Sequence, residues 1–212
     1  MKNLFPLIML LAVSAFTACS SFDFSNSELG GQQSPMGEVG NEYTVSIPFS
    51  GVENASAIVT ELEDGISTIS YSAKITNPKL LQIVEGMSDV TINNGVASVE
   101  RKYRITENGY QSVYEEGNLT IVDYNSKVGD TYSLKKDGKT IKREVVSKST
   151  TDDYSWGFFD IKAIKVEETG RNLPGVSKIE FIANHRWGMV GVKIYFEDGT
   201  DETLTIFSDA SN

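Results

Sequence analysis

The sequence predicts an all-β protein, an antiparallel sandwich or barrel with one short helix near residues 78–86. Two observations lead to this fold class. From Tyr43 onward, short runs rich in Val, Ile, Thr, Tyr and Phe alternate with turns made of Gly, Asn and Asp. The runs also follow one another closely, which is typical of hairpins and does not fit the long crossover connections of βαβ units.

Eleven segments have the composition of strands, namely 43–49, 57–62, 67–75, 96–105, 111–122, 131–134, 141–146, 158–166, 177–182, 190–196 and 203–207. One segment breaks the pattern. Asn77 suits the N-cap of a helix and Pro78 its first position, because proline lacks the amide that would be unpaired there. Two helical turns follow, and Gly86 is expected to end them.

One hairpin turn is predicted at Asp137-Gly138. A two-residue loop pairs Lys136 with Lys139 and thereby sets Leu134 opposite Ile141 on one face of the sheet. Asp-Gly is a favoured pair for type I′ turns, in which both central residues have positive φ. We therefore expect a type I′ turn here.

A second hairpin turn, at Asp198-Gly199, requires a different loop. Val192, Ile194 and Phe196 alternate along one strand and so share a face, as do Leu204 and Ile206 along the next. A two-residue loop would set these two apolar faces on opposite sides of the sheet, whereas an odd-length loop brings them together. We predict a three-residue loop with Gly199 in the left-handed conformation of a G1 bulge.

The N-terminus has the form of an export signal. Lys2 precedes residues 4–16, an almost wholly apolar stretch that is too short to span a membrane as a helix. The stretch ends in Phe16-Thr17-Ala18-Cys19, which includes the only cysteine of the chain. This motif resembles the lipobox of bacterial lipoproteins, although Phe16 replaces the usual leucine. The resemblance implies that residues 1–18 are a signal peptide and that Cys19 carries lipid that attaches the protein to a membrane.

A plain signal peptide followed by a free cysteine is the alternative. A lone thiol has no disulfide partner in this chain, whereas several acyl chains on Cys19 would give stable anchoring. Aspartate after the modified cysteine often retains lipoproteins in the inner membrane, so by the same resemblance Ser20 implies the outer membrane. We expect the domain to lie at the cell surface, with a periplasm-facing domain as the alternative.

The remaining chain divides into two parts by composition. Residues 19–41 are rich in Ser, Gly, Asn and Gln, which predicts a flexible tether. Residues 42–212 are enough for a single β-rich globular domain. A division near 125–127 into two smaller β modules is the alternative.

Charge and composition exclude several classes of partner and of metal site. The formal net charge is −10, so no nucleic acid is expected as a partner, because phosphate binding depends on clustered Lys and Arg. The densest basic residues, Lys135-Lys136, Lys139 and Lys142-Arg143, flank the predicted turn at 137–138, and we expect them to be solvated. One histidine, His185, and one cysteine cannot form a Cys/His zinc site or a multi-histidine centre. No cofactor or metal is expected.

The segment 150–159 is the best candidate for a binding site in the sequence. Tyr154, Trp156 and Trp187 could present ring faces to the C–H surface of a sugar, and Asp152 and Asp153 could accept hydrogen bonds from its hydroxyl groups. The alternative is that these aromatic rings pack in the core, which is where most large apolar side chains lie.

Three functions remain open from the sequence. The preferred one is a non-catalytic, lipid-anchored β module that binds an extracellular ligand or partner, such as a glycan or another envelope protein. The second is a lipocalin-like carrier that encloses an apolar ligand in a barrel or half-barrel. The third is a glycoside hydrolase built on two facing carboxyl groups. Carboxylates near 198–202 could also hold a calcium ion, but their spacing does not match the EF-hand loop.

Overall fold

The computed structural model describes residues 27–45, 51–87 and 89–211. These residues form a nearly closed, barrel-like antiparallel sheet, a separate two-stranded sheet and a single α-helix. The all-β prediction is therefore confirmed, and of its two architectures the barrel is correct. The predicted signal peptide and Cys19 lie outside the described residues.

The fifteen strands are β1 (Glu42–Val45), β2 (Val52–Glu63), β3 (Ile66–Ile75), β4 (Thr91–Asn93), β5 (Val96–Thr106), β6 (Gly109–Tyr114), β7 (Gly117–Asp123), β8 (Thr131–Lys136), β9 (Lys139–Lys148), β10 (Tyr154–Trp156), β11 (Phe159–Ile161), β12 (Ile164–Thr169), β13 (Val176–Asn184), β14 (Gly188–Phe196) and β15 (Asp201–Ser208). The helix α1 spans Pro78–Glu85, and 3₁₀ turns occupy Pro35–Gly37 and Asp209–Ser211.

The sheet runs in the order β7-β6-β5-β3-β2-β1-β15-β14-β13-β12-β9-β8, with β4 added to β5. Its halves, β1–β7 and β8–β15, are joined where β1 pairs with β15, Tyr43 lying opposite Ser208. The edge strands β7 and β8 are consecutive in the chain and lie next to each other, which curls the sheet almost to closure. We call the line where β7 faces β8 and β9 the seam.

Alternation along the strands separates the inside of the barrel from the outside. In β9, Ile141, Arg143 and Val145 are buried whereas Lys142 is exposed. This period of two follows from the pleat, because successive side chains of a strand point to opposite faces. The main core cluster collects inward residues from both halves of the sheet, including Val59, Ile105 and Val166.

Both predicted hairpin turns are confirmed. Asp137 and Gly138 have φ of 50° and 74°, and Leu134 lies opposite Ile141 as the type I′ register requires. In the second hairpin Phe196 donates its N–H to the carbonyl of Thr200 over 2.9 Å, which leaves a three-residue loop, and Gly199 has φ of 83°. The helix is also confirmed, since Asn77 Oδ1 accepts the Lys79 N–H at 2.9 Å as an N-cap.

Two predicted strands are each divided in the structure. The segment 111–122 forms β6 and β7, which turn at Glu115-Glu116, and Gly117 supplies a positive φ of 135° after the turn. The segment 158–166 is divided between β11 and β12. The turn at 115–116 lacks the Asn-Gly or Asp-Gly pair that indicates a hairpin, so composition did not reveal it. The break at 162–163 is the point where the chain passes from the two-stranded sheet of β10 and β11 to the barrel sheet. The short strands β4 and β10 were not predicted.

The N-terminal segment differs from the predicted tether over its described part, residues 27–41. Gln111 Nε2 donates to the carbonyl of Ser27 at 2.9 Å, and Thr106 Oγ1 donates to that of Gly30 at 2.7 Å. Met36 is buried in the core. Residues 27–41 therefore belong to the globular fold, because they fill the barrel end, pair their backbone with the end of β5 and bind the Gln111 side chain of β6. A Ser- and Gly-rich composition does not reveal these interactions.

This segment blocks one end of the barrel, which we call the closed end. Buried Asn41 donates from Nδ2 to the Met36 carbonyl, and its Oδ1 accepts from Ser208 Oγ and the Ala210 N–H, all at 2.9 Å. The two termini of the described chain are thus joined there. The opposite end, the open end, carries the turns at 115–116, 137–138 and 197–199 together with α1.

Candidate functional site

An apolar cavity of about 470 Å³ lies inside the barrel, and we call it the apolar chamber. Its walls come from the inner faces of β2, β3, β5, β14 and β15, and α1 completes it. Small side chains on neighbouring strands leave the space open, among them Ala57, Ala73 and Ala97. The volume lies within the range of roughly 300–1,000 Å³ that small-molecule sites occupy.

Four tyrosines line the chamber with their rings, and their hydroxyl groups point to partners in the protein. Tyr43 Oη donates to the Met36 carbonyl at 2.7 Å, and Tyr110 Oη lies 3.1 Å from Met36 Sδ. The rings of Tyr71 and Tyr103 meet edge to face at 6.5 Å between centroids. Burial raises the pKa of Tyr110 to about 12, so these phenols stay neutral at ordinary pH. The chamber wall is therefore uncharged.

The helix α1 covers the chamber at the open end. Its buried residues Leu80 and Ile83 pack in a cluster with Phe196, and Ile83 also faces the chamber. On the solvent side, Lys79 donates to Asp198 and lies 3.2 Å from Thr200 Oγ1, both in the β14–β15 turn region. The helix is thus held against the far side of the barrel by the apolar cluster around Leu80, Ile83 and Phe196 and by an exposed ion pair.

A second cavity of about 760 Å³ adjoins the apolar chamber, and we call it the polar chamber. Tyr103, Ile121, Phe181 and Met87 line both cavities, so the two spaces share a wall. The polar chamber extends towards the seam and is lined there by Arg143 and by other charged residues. An apolar and a polar cavity thus lie side by side in the protein.

Three charged residues form what we call the charge triad, Arg143, Glu168 and Arg171. Arg143 Nε donates to Glu168 Oε2 at 2.8 Å, and Arg171 donates to Oε1 at 2.6 Å from Nε and to Oε2 at 2.9 Å from Nη2. The side chains of Arg143 and Glu168 are 2% and 1% exposed, and that of Arg171 is 26% exposed. Two cations therefore share one buried carboxylate.

Arg143 also connects the two edges of the sheet at the seam. Its Nη1 donates to the Leu119 carbonyl of β7 at 2.8 Å and lies 3.4 Å from Ser112 Oγ of β6. The guanidinium lies over the ring of Phe181, 5.0 Å from its centroid. This hydrogen bonding reduces the cost of burying the ion, because an unpaired buried charge is strongly unfavourable.

The pKa shifts around the triad indicate a positive local potential. Burial would raise the pKa of the Glu168 carboxyl, but Arg143 and Arg171 outweigh burial and hold it below its ordinary value. Burial likewise opposes ionisation of Tyr114, yet the same two guanidiniums lower the pKa of its phenol. Arg171 Nη2 lies 3.3 Å from Tyr114 Oη. Glu168 is therefore an ionised partner in an ion network and lacks the raised pKa of a general acid.

Sequence reasoning missed Arg143, which it placed among solvated strand residues, and that expectation is wrong. The side chain points inward because it lies between Ile141 and Val145 in the alternation of β9. The available signal was a charged residue at a strand position where the alternation of side chains predicts a buried apolar one. Its two triad partners are distant in sequence, so the pairing itself could not be read from composition.

The predicted aromatic site lies on the outer face of the barrel, where the β10–β11 hairpin packs against β13–β15. Tyr154, Trp156 and Trp187 come together in this outer cluster. Trp156 is 3% exposed, stacks on Phe207 at 4.6 Å between ring centroids, and donates from Nε1 to the Ile206 carbonyl at 3.0 Å. Its ring faces are therefore covered.

The other members of the predicted site are more accessible. Asp152 is exposed, and Asp153 accepts a hydrogen bond from Ser149 Oγ at 2.5 Å. Trp187 is half-buried under the guanidinium of Arg186, 4.6 Å from the ring centroid. Phe158, at the tip of the hairpin, is fully exposed. Sugar binding by this outer cluster stays a prediction, with Trp187 as its accessible indole.

The acidic turn at 198–202 is occupied by ion pairs. Asp198 binds Lys79, whose ammonium lowers the pKa of the Asp198 carboxyl, and Asp201 lies 3.0 Å from Lys193 Nζ. In the part of the chain that the structure describes, no group of three or more His, Cys, Asp or Glu side chains is arranged to hold a metal ion.

Comparisons with protein-family models, with curated proteins and with solved structures give no match to this chain. Within residues 27–45, 51–87 and 89–211, no helix has the length and apolar character needed to cross a membrane.

Proposed function

We propose that the protein is a lipid-anchored envelope protein whose β domain holds an apolar ligand inside the barrel. The apolar chamber carries this proposal, since it combines a ligand-sized volume with walls of aliphatic side chains and neutral phenols. Natural interiors are close-packed, so a space of this size in the middle of a core is costly to keep empty. A bound apolar molecule would restore the missing contacts.

The shape of the domain supports a carrier in preference to a surface binder. The closed end is filled by residues around Met36, whereas the open end is covered by α1, a single short helix that packs through Leu80 and Ile83. A ligand can therefore leave and return by movement of one short helix. The binding of a glycan or envelope protein by the outer cluster is the second candidate, and the accessible ring of Trp187 and exposed Phe158 favour it.

A cavity-filling variant tests the carrier function. Ala57→Trp places an indole in the chamber, and Thr60→Trp adds the same indole at an exposed position of the same strand. Each variant is made in the full chain with Cys19→Ala and freed of detergent, and N-phenyl-1-naphthylamine serves as a neutral fluorescent ligand. We expect the parent chain and Thr60→Trp to enhance its fluorescence and Ala57→Trp to lose most of the enhancement.

Circular dichroism establishes that each variant is folded, and Ala73→Leu, a smaller filling of the same chamber, serves if Ala57→Trp is not. Equal fluorescence in the filled and parent proteins would show that the dye binds elsewhere and would overturn the carrier function. Residues 4–16 are themselves apolar and offer the dye a second place to bind. The fluorescence that remains in Ala57→Trp therefore measures dye binding outside the barrel.

Protease treatment of intact cells tests the anchor and the location. We propose that lipid on Cys19 holds the protein in the outer membrane with the domain at the cell surface. In that case external protease digests the wild-type domain, metabolic labelling with a fatty acid marks it, and Cys19→Ala abolishes the label. A labelled but protected domain would indicate the periplasmic face, and a wild-type chain without label would contradict lipidation.

A further inference from the structure

We infer that the ligand is an amphiphile with one long apolar tail and an anionic head, the tail in the apolar chamber and the head at the charge triad. This inference rests on the proposed carrier function and assigns the class of ligand. Carboxylate and phosphate heads share the required chemistry, because both accept charged hydrogen bonds from guanidinium groups.

The two chambers lie next to each other in a way that suits one molecule. Tyr103, Ile121 and Phe181 line both, and Met87 lies over both just beyond the end of α1. A tail packed against these side chains in the apolar chamber therefore ends beside the polar one. The apolar chamber has an uncharged wall, and the polar chamber contains the triad. An apolar tail therefore suits the first and a charged head the second.

The triad has an excess of positive charge at its buried position. Glu168 neutralises one of the two guanidiniums that it contacts, and its own oxygens are already occupied by three donors from Arg143 and Arg171. A single anion beside Arg171 would balance the second cation. A neutral head would leave that charge uncompensated, and a cationic head would be repelled by it.

Arg171 has a donor available for such a head. Its Nε and Nη2 are used by Glu168 and Tyr114, whereas its Nη1 makes no hydrogen bond within the described residues. Arg171 lines the polar chamber and is partly exposed to it. In contrast, all three nitrogens of Arg143 donate within the protein, to Glu168, Leu119 and Ser112. Arg171 is therefore the residue that contacts the head.

Charges at the rim of the polar chamber do not alter this preference. Outside the triad, five acidic and four basic residues line this chamber, namely Asp89, Glu100, Glu115, Glu116 and Asp137, with Arg101, Lys102, Lys136 and Lys139. The acidic partners in the rim ion pairs, Asp89, Glu116 and Asp137, have side chains that are 55%, 33% and 72% exposed, against 26% for Arg171, and solvent and salt screen exposed charges more than buried ones. The positive excess on Arg143 and Arg171 therefore determines the sign of the head that binds.

Four ligands with the same sixteen-carbon tail test the inference. Hexadecanoate, hexadecyl phosphate, hexadecanol and hexadecyltrimethylammonium are each titrated, below their micellar concentrations, against bound N-phenyl-1-naphthylamine in the full chain with Cys19→Ala. We expect the two anions to displace the dye at concentrations about tenfold or more below hexadecanol, with the cation weakest. The order of the two anions identifies a carboxylate or a phosphate as the preferred head.

A matched pair of variants then locates the head. Arg171→Gln removes the available donor, and Arg186→Gln removes the same charge from the outer cluster. Arg171→Gln should bring hexadecanoate to the affinity of hexadecanol while hexadecanol itself still binds, which also shows that the variant is folded. Arg186→Gln should keep the anion preference.

The outcomes separate the two proposals. If all four ligands bind the wild-type chain equally, the anionic head is refuted and the carrier function stands. If none displaces the dye, the carrier function for long-chain ligands fails as well. An anion preference that survives in Arg171→Gln would overturn the assignment of the head to the triad.

Discussion

Arg143 on β9 and Glu168 on β12 form an ion pair of 2.8 Å inside the barrel, 25 residues apart in the chain, with both side chains almost completely buried. The same guanidinium reaches the Leu119 carbonyl of β7 across the seam. The Arg143 side chain therefore links β9 to the neighbouring strand β12 and, across the seam, to β7, and it also lines the polar chamber. It contributes to closure of the barrel and to the electrostatics of its interior.

Removing this guanidinium is expected to be strongly destabilising. Arg143→Met leaves Glu168 with Arg171 alone and deprives the seam of its hydrogen bonds, and breaking a buried pair costs about 3–5 kcal/mol. Lys74→Met provides the control, since Lys74 pairs with Glu53 at the surface and such pairs contribute about 1 kcal/mol or less. Urea unfolding measures the free energy of unfolding of both variants and of the wild type. Equal losses of stability would contradict the structural role assigned to Arg143.

Stability should fall in acid partly because of Glu168. Its pKa in the folded protein lies below the unfolded value of about 4.3, so ionised Glu168 stabilises the fold above that pH. As the pH falls through the folded pKa, the carboxyl becomes protonated and this contribution is lost. Measured between pH 7 and pH 2, the free energy of unfolding should decrease less steeply in Glu168→Gln than in the wild type. Parallel curves would show that other carboxyls cause the acid sensitivity.

Local features of this fold were predictable because local sequence determines them. The Asp137-Gly138 turn follows from two residues that tolerate positive φ and from the facing of Leu134 and Ile141. The helix follows from Asn77 and Pro78, which suit the first positions of a helix. In such cases the residues that determine the structure are within a few positions of one another.

Features that depend on distant contacts were not predictable in this way. Closure of the barrel places β7 beside β8 and β9, and the triad joins positions 25 residues or more from Arg143, so no local pattern contains them. The order of residues 27–41 also comes from tertiary contacts, such as those of buried Asn41. The apolar chamber depends on where small side chains from several strands meet.

Two glycines with positive φ should differ greatly in their tolerance of alanine. A Cβ at Gly95, where φ is 79°, would meet open space, so Gly95→Ala should cost only about 1 kcal/mol for the left-handed backbone. A Cβ at Gly109, where φ is 146°, would overlap the Val122 carbonyl oxygen, and this backbone cannot rotate away. We expect Gly109→Ala to cost about 3 kcal/mol or more. Similar thermal stability of the two variants would be inconsistent with the β6–β7 geometry.

Fixing α1 in place should slow ligand exchange without greatly changing affinity. The helix covers the apolar chamber, yet its polar link to the far wall is the exposed pair of Lys79 and Asp198, and exposed pairs of this kind contribute little to stability. The cost of opening the helix therefore lies mainly in its apolar contacts, those of Leu80 and Ile83 with Phe196. Cysteines at positions 79 and 198, in the chain with Cys19→Ala, allow a short bismaleimide to replace this pair with a covalent link.

The kinetics of N-phenyl-1-naphthylamine measure the effect of that link. Crosslinked protein should take up and release the dye more slowly than the same protein before crosslinking, because the ligand must pass the helix. Cysteines at Ser155 and Asp160, which form an exposed hydrogen-bonded pair on the outer β10–β11 hairpin, give a matched crosslink that should leave both rates unchanged. If the α1 crosslink also leaves them unchanged, ligands reach the chamber by another route, and the seam between β7 and β8 becomes the place to examine.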